Sequence, residues 1–181
     1  MRAVTVSEYR ATPMVGEVPT PKPAAGQVLV RLRAAGMNPV DRKLASGDLR
    51  PAPTTFPMVL GADGAGVVEA VGEGVTRYSV GDGVFGQLLV APIGSAGTYA
   101  EYVAVSADAP LARVPGDLED VLAVALPTAG GTGLALVESL EPLAGNTVLI
   151  VGAGGGVGSF AIQFAVDAGA RVIANVRARG G

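Results

Sequence analysis

Apolar and polar positions alternate with a period of two across residues 28–34, where Val28, Val30, Leu32 and Ala34 interleave with Leu29, Arg31 and Arg33. That period sends successive side chains to opposite faces of a β-strand. Residues 99–105 (YAEYVAV) repeat it, and residues 59–71 (VLGADGAGVVEAV) are strand-like with Gly61, Gly64 and Gly66 set inside the run. Glycines there predict bulges, close backbone approach and sharp barrel curvature. Pro19, Pro21, Pro23, Pro51, Pro53 and Pro57 fall between the strands, where a missing N–H costs nothing. The texture changes at residues 115–117 (PGD), after which residues 118–126 and 129–140 predict helices. The expected division is therefore 1–117, a β domain, and 118–181, an α/β segment.

Within that second segment, residues 147–151 (TVLIV) form an apolar, β-branched run, the pattern of a strand buried on both faces of a parallel sheet. A glycine-rich run follows. Then Val157, Phe160, Ala161, Phe164, Ala165 and Ala168 recur at helical spacing, with Ser159, Gln163 and Asp167 on another face and Gly169 as the stop. Residues 171–176 (RVIANV) predict a second parallel strand, completing a βαβ unit. The run fits G-x-x-G-x-x-G (Gly152, Gly155, Gly158) or A-x-G-x-x-G (Ala153, Gly155, Gly158). Either spacing gives a tight turn, close approach to a pyrophosphate and tight helix packing, with Gly156 and Val157 opening a helix whose N–H groups face an anion. The other reading is a glycine-rich turn that only permits close packing. A complete dinucleotide-binding sheet has about six strands, and only two are predicted.

Composition narrows the chemistry. With 49% apolar and 16% charged residues the chain can bury a core. A net charge of −3, with no basic run carrying interleaved aromatics, argues against a nucleic-acid partner. There is no cysteine, so disulfide and thiol chemistry are excluded, and no histidine, so zinc would need an all-carboxylate site that it rarely accepts. No zinc is expected. The N-terminus lacks the apolar core of a signal peptide and no uninterrupted apolar segment reaches spanning length, so no membrane is expected and the cytoplasm is the expected compartment.

The order GMNPVD (36–41), VLGADGAGVV (59–68), VGDGVFG (80–86), GTYAEYVAV (97–105), ALP (125–127) and GGGVG (154–158) resembles the medium-chain dehydrogenase/reductase superfamily along the whole chain. Within it the chain is most similar to the zinc-free quinone oxidoreductase and enoyl reductase branch, because Asn38 and Pro39 stand where zinc alcohol dehydrogenases carry cysteine and histidine. The resemblance implies an α/β fold: a GroES-like β-barrel domain followed by the first βαβ unit of a Rossmann fold, left incomplete. It implies hydride transfer from NADPH to a quinone or an activated C=C bond. Three departures stand out. Ala62 replaces a polar residue, usually histidine, and Gly83 replaces an arginine, so local hydrogen bonds are expected to be lost. The chain also stops where relatives carry four more Rossmann strands and a segment returning to the first domain. Two alternatives follow from that: a cofactor-independent relative that binds a hydrophobic small molecule or steers a non-redox reaction, and a fragment completed by another chain.

Preference for NADPH is read from Asn175, Arg177 and Arg179, which occupy the region where NAD-binding folds place an acidic residue. Two guanidiniums suit a 2′-phosphate; a solvated basic tail is the other reading. With only one βαβ unit, affinity is expected to be no better than roughly millimolar, about 4 kcal/mol. By resemblance Asn38 lines the site near the nicotinamide. Asp41 and Lys43, taken as loop residues, either relay a proton or orient substrate, or form a loop salt bridge. Tyr99 and Tyr102 are candidate phenol donors, and a regular strand puts only one of them toward the cleft. Thr128 either caps a helix or reaches the cofactor. The partners expected are a hydrophobic small-molecule substrate and, because residues 171–176 offer an unpaired apolar edge, a second copy in a homodimer.

Overall fold

The computed structural model describes residues 1–140 and 142–176. The chain separates into two compact units, Met1–Val124 and Ala125–Gly181. The division thus falls seven residues after the expected one at 117. The reason lies in packing: Ala123 and Val124 are buried with Ala65, flanked by Ala34, Phe85 and Leu118, so the short helix following the PGD turn belongs to the β domain.

In the first unit, β1 (Arg2–Val6), β2 (Met14–Glu17) and β4 (Met58–Val59) form an antiparallel sheet in the order β2-β1-β4. A second antiparallel sheet is built from β3 (Gln27–Gly36), β5 (Asp63–Val71), β6 (Gly83–Gln87), β7 (Tyr102–Ser106) and β8 (Leu111–Arg113), ordered β7-β3-β5-β6-β8. The expected barrel therefore takes the form of two sheets, with a single bridge from Ala3 to Ala100, rather than one closed ring of ladders among the described residues. The alternation at 28–34 works as predicted: Val28 and Val30 are fully buried with Val68, Val84, Val103 and Val105, while Arg31 and Arg33 face out. The β3–β5 register slips between Leu32 and Ala34, the bulge anticipated from the glycines of β5. Residues 60–62 interrupt the long strand expected at 59–71. Beside Gly83, Asp82 accepts hydrogen bonds from the Ser79 N–H at 2.9 Å and from Arg113 at 2.9 Å.

Two local readings change. Residues 39–46 are helix α1 (Pro39–Ser46), not a loop. Asn38 is its N-cap, Pro39 occupies the first turn, and Gly47 ends it in a left-handed conformation, φ 74°; Pro is pre-shaped for that first turn and Gly for that stop. Tyr99 lies outside β7, which begins at Tyr102. Its N–H bonds to the Leu60 carbonyl and its carbonyl accepts from the Val4 N–H.

Residues 118–140 hold α2 (Asp120–Ala123), a π-helical turn at Leu126–Gly130 and α3 (Gly131–Glu138), in place of two regular helices. Thr128 sits inside the π turn, where its carbonyl accepts from the Thr132 hydroxyl, and is not an N-cap. The 19-residue stretch Asp120–Glu138 is apolar and long enough to cross a membrane by length and composition alone, with 28% of its 18-residue apolar window buried in this structure. The second unit closes with β9 (Thr147–Val151), α4 (Gly156–Asp167) and β10 (Arg171–Asn175), the two strands parallel and in register from Arg171–Thr147 to Asn175–Val151. Ala161 and Ala165 of α4 pack with Val137 and Leu143, covering Val148, Ile150 and Val172. β9 is not buried on both faces: Leu149 is 61% and Val151 74% exposed, because among the described residues one helix covers the pair from one side only.

Candidate functional site

The polar centre of the first unit is assembled from both sequence-local and distant residues. β3 ends at Gly36 opposite Asp63 of β5, and two residues later Asn38 caps α1. From that position the Asn38 backbone N–H donates to Asp41 Oδ2 at 2.7 Å, and its side-chain amide donates to Asp63 Oδ2 at 2.9 Å. Asp41 is the third residue of the helix, the spacing at which an acidic side chain folds back on the cap N–H. Residues 98 and 99 run along residues 60 and 61 through backbone hydrogen bonds. This brings the Tyr99 hydroxyl to donate to Asp41 Oδ2 at 2.9 Å, with the Gly36 carbonyl at 3.4 Å as its other acceptor.

Two carboxyl groups are thereby buried close together, Asp41 at 5% and Asp63 at 2% exposure. Burial raises the Asp41 pKa above the usual carboxylate value. The Asn38 N–H and the Tyr99 hydroxyl oppose that shift, the charge of Asp63 adds to it, and the Ala62 N–H pulls weakly back. Burial, then the hydrogen bond to Asp41 and the charges of Asp41 and Asp63, push the Tyr99 phenol well above its ordinary range. The phenol is thus held neutral with its proton committed to a carboxylate.

Asn38, Asp41 and Tyr99 line one wall of a pocket of about 410 Å³ whose other walls include Pro13, Met37, Ala45 and Leu60. A largely apolar cavity with a few convergent polar groups is the ordinary form of a small-molecule site. Tyr99 also borders a second pocket of about 420 Å³, with Leu32, Thr98 and the Arg2–Glu101 pair. Of the residues singled out from sequence, the structure brings together Asn38, Asp41 and Tyr99. Lys43 is exposed on α1 and does not line the pocket. Tyr102 pairs with Arg31 on β7, away from Asp41. Asp63 was missed, although a carboxylate inside the apolar, glycine-rich run at 59–71 was a visible signal.

The second unit holds the glycine run. Gly152 makes the turn in a left-handed conformation, φ 78°, and its N–H and that of Ala153 both donate to the Asn175 carbonyl. Asn175 therefore locks the turn through its backbone. Gly158 is the close-packing position, since a Cβ there would meet the Gly152 carbonyl at 2.4 Å. Gly154, Gly155 and Gly156 are exposed, no side chain caps α4, and a Cβ at any of the three would meet nothing nearer than 3.3 Å. The first N–H groups of α4 are thus reachable by a bulky anion, and the residues present fit a dinucleotide pyrophosphate. Arg177 and Arg179 lie outside the described residues. Among the described residues, no three acidic side chains are grouped so as to hold a metal ion.

Residues 24–116 match the alcohol dehydrogenase GroES-like domain. The chain is 39% identical over 169 residues to a quinone oxidoreductase of Lama guanicoe, covering 91% of this chain and 49% of the relative. An alcohol dehydrogenase superfamily protein from Novosphingobium aromaticivorans superposes with a TM-score of 0.88 at 42% identity, over 98% of this chain and 54% of that one. A mycobacterial protein solved in complex with NADPH gives 0.84 at 34% identity, over 98% and 53%. The chain spans about half the length of the curated relatives it matches.

Proposed function

We propose, from the premise that this chain belongs to the medium-chain dehydrogenase/reductase superfamily and to its quinone oxidoreductase branch, that it carries the substrate pocket and pyrophosphate cradle of a reductase. The reductase takes NADPH and acts on a quinone or an activated C=C bond, without zinc. The observation that carries this reading is the open cradle: a left-handed Gly152, the close-packed Gly158 and three exposed glycines at the head of α4. The resemblance to a protein solved with NADPH supports the choice of nucleotide. The cradle is the first βαβ unit of a Rossmann fold, in which Gly152, Ala153, Gly155, Gly156, Val157 and Gly158 receive the pyrophosphate. A nicotinamide held by such a fold supplies a hydride. The chain's own pocket residues orient the acceptor: the apolar wall takes a ring or an enone chain, and the Asn38–Asp41–Tyr99 wall meets its oxygen.

One observation favours a second reading. The apolar pocket is complete within Met1–Val124, so a hydrophobic small molecule could be bound there, or its reaction steered, with no nucleotide. Calorimetric titration with NADPH, NADH and 1,4-naphthoquinone separates the two. The reductase reading expects NADPH to bind more tightly than NADH by roughly tenfold, the worth of one charge-assisted phosphate contact. Equal affinities, or tighter NADH binding, remove the NADPH assignment. Naphthoquinone binding with no nucleotide binding up to ~10 mM, weaker than about 3 kcal/mol, replaces the reductase reading with the second.

A further inference from the structure

Asp41 is satisfied on one side only. Its Oδ2 accepts from the Asn38 N–H and the Tyr99 hydroxyl, whereas Oδ1 is buried without a hydrogen-bond partner. The groups around it are the Ala62 N–H, whose pull on the carboxyl is the weakest, Tyr99 from the segment beside residue 60, Asp63 from β5, and Arg10 and Arg42 on the pocket wall, the latter paired with Asp48 at 3.6 Å. No cation forms an ion pair with Asp41 among the described residues. A carboxylate buried in this way beside a second carboxyl group is costly, and a proton on it relieves the cost.

The phenol has a complementary problem. Tyr99 cannot be the net source of a proton, because losing one would leave a phenolate beside two carboxyl groups. It can, however, pass a proton on. With Asp41 ionised, the Tyr99 O–H points at Oδ2 and the pocket sees only the phenol's lone pairs. With Asp41 protonated, its O–H donates to the Tyr99 oxygen and the Tyr99 O–H is released.

We propose that Asp41 and Tyr99 form a two-position proton switch that delivers the proton completing reduction of the acceptor in the pocket. The inference rests on the reductase reading above. A nicotinamide held at the glycine run would supply the hydride, and the acceptor oxygen that then needs a proton would face the Tyr99 hydroxyl. The Tyr99 O–H bond breaks as the acceptor's O–H bond forms, and the Asp41 O–H bond breaks as a new Tyr99 O–H bond forms. Asp41 ends as a carboxylate and regains its proton from solvent once product leaves. Asn38 is a positioning residue: through its backbone it holds Oδ2 toward the phenol, and through its amide it holds Asp63.

The test combines a readout free of nucleotide with one that needs it. Infrared difference spectra of the full chain, compared with Asp41→Asn, follow the carbonyl band of protonated Asp41 against pH. The band should persist above the pH at which exposed carboxylates ionise, and Tyr99→Phe should move its midpoint upward by removing a donor to the ionised form. A band that titrates with the exposed carboxylates, or a midpoint unmoved in Tyr99→Phe, overturns the switch. In NADPH-dependent reduction of 1,4-naphthoquinone, the wild-type rate should fall as pH rises through the same midpoint. Asp41→Asn and Tyr99→Phe should each be slower, on the order of a hundredfold, and flat with pH. A wild-type pH profile retained in either variant overturns the switch and leaves the reductase reading standing. Absence of NADPH oxidation by the wild type overturns both, a result distinguished from the first because the infrared coupling is still measured.

Discussion

Replacing Gly66 with alanine tests whether the bulge in β3 dictates the glycine opposite it. Gly66 sits on the central strand β5, paired with Leu32 on one side and Val84 on the other. The register slip between Leu32 and Ala34 bends β3 over it, so that a Cβ would lie 2.1 Å from the Arg31 carbonyl oxygen and 2.9 Å from the Leu32 Cα. The shorter distance falls more than an ångström below an ordinary contact. Both obstacles are backbone within a ladder, so no rotamer change relieves them and the strands must part. Overpacking costs about 1–3 kcal/mol, and rigid neighbours place this site at the upper end. The reduced freedom of alanine in the unfolded chain returns about 0.4–1 kcal/mol, leaving a net loss of about 2 kcal/mol. Gly16→Ala is the control, because nothing lies within 4 Å of its Cβ; it should be neutral or stabilise by up to about 1 kcal/mol. The chain has no tryptophan, so urea unfolding is followed by circular dichroism. A Gly66→Ala variant within about 0.5 kcal/mol of wild type, the range of an unremarkable surface change, would refute the reasoning.

Tyr78→Phe keeps a ring that is 3% exposed but removes the hydroxyl donating to the Leu111 carbonyl at 2.5 Å; it should lower stability by about 1–2 kcal/mol in the same assay, and an unchanged midpoint contradicts this. Burial holds the folded-state pKa of Asp41 above its ordinary value, so the stability this group contributes is fully present below the unfolded value near 3.9 and is lost as pH rises through the folded one. Asp41→Asn, whose amide oxygen still accepts from Asn38 and Tyr99, should therefore gain on wild type across that window and level off above it. A difference constant with pH in denaturation curves is the contrary result. Ile173, 50% exposed on β10, tests self-association: light scattering should find a dimer that Ile173→Lys dissociates while the first unit stays folded, and a strict wild-type monomer at high micromolar concentration disposes of the dimer.

What could be read from the chain depended on whether the cause was local. The alternation at 28–34 became the β3 core because period two is a property of the strand itself, and the glycine run became a turn and a helix start for the same reason. Helix α1 was equally local, since Asn38, Pro39 and Asp41 carry the cap, first-turn and third-position signals in order, yet Asp41 and Lys43 read as loop residues from sequence alone. By contrast, nothing in residues 99–105 says that Tyr99 leaves its strand; that is decided by hydrogen bonds to Leu60 and Val4. The exposed face of β9 is of the same kind, because TVLIV records what the strand can bury and its neighbours decide what is buried.

The polar centre joins both sorts of cause. Asn38 and Asp41 are set three residues apart by a helix cap, whereas Asp63 and Tyr99 reach them through the β3–β5 ladder and the backbone pairing of residues 98–99 with 60–61. Gly36 pairs with Asp63 at the end of the same ladder that bulges over Gly66. The bulge that forbids a side chain at Gly66 therefore also sets the register by which Asn38 finds Asp63. Parting the strands at Gly66 should disturb the Asp41–Tyr99 pair as well as the fold, so the Asp41 carbonyl band in Gly66→Ala should titrate differently from wild type even under conditions where the variant remains folded.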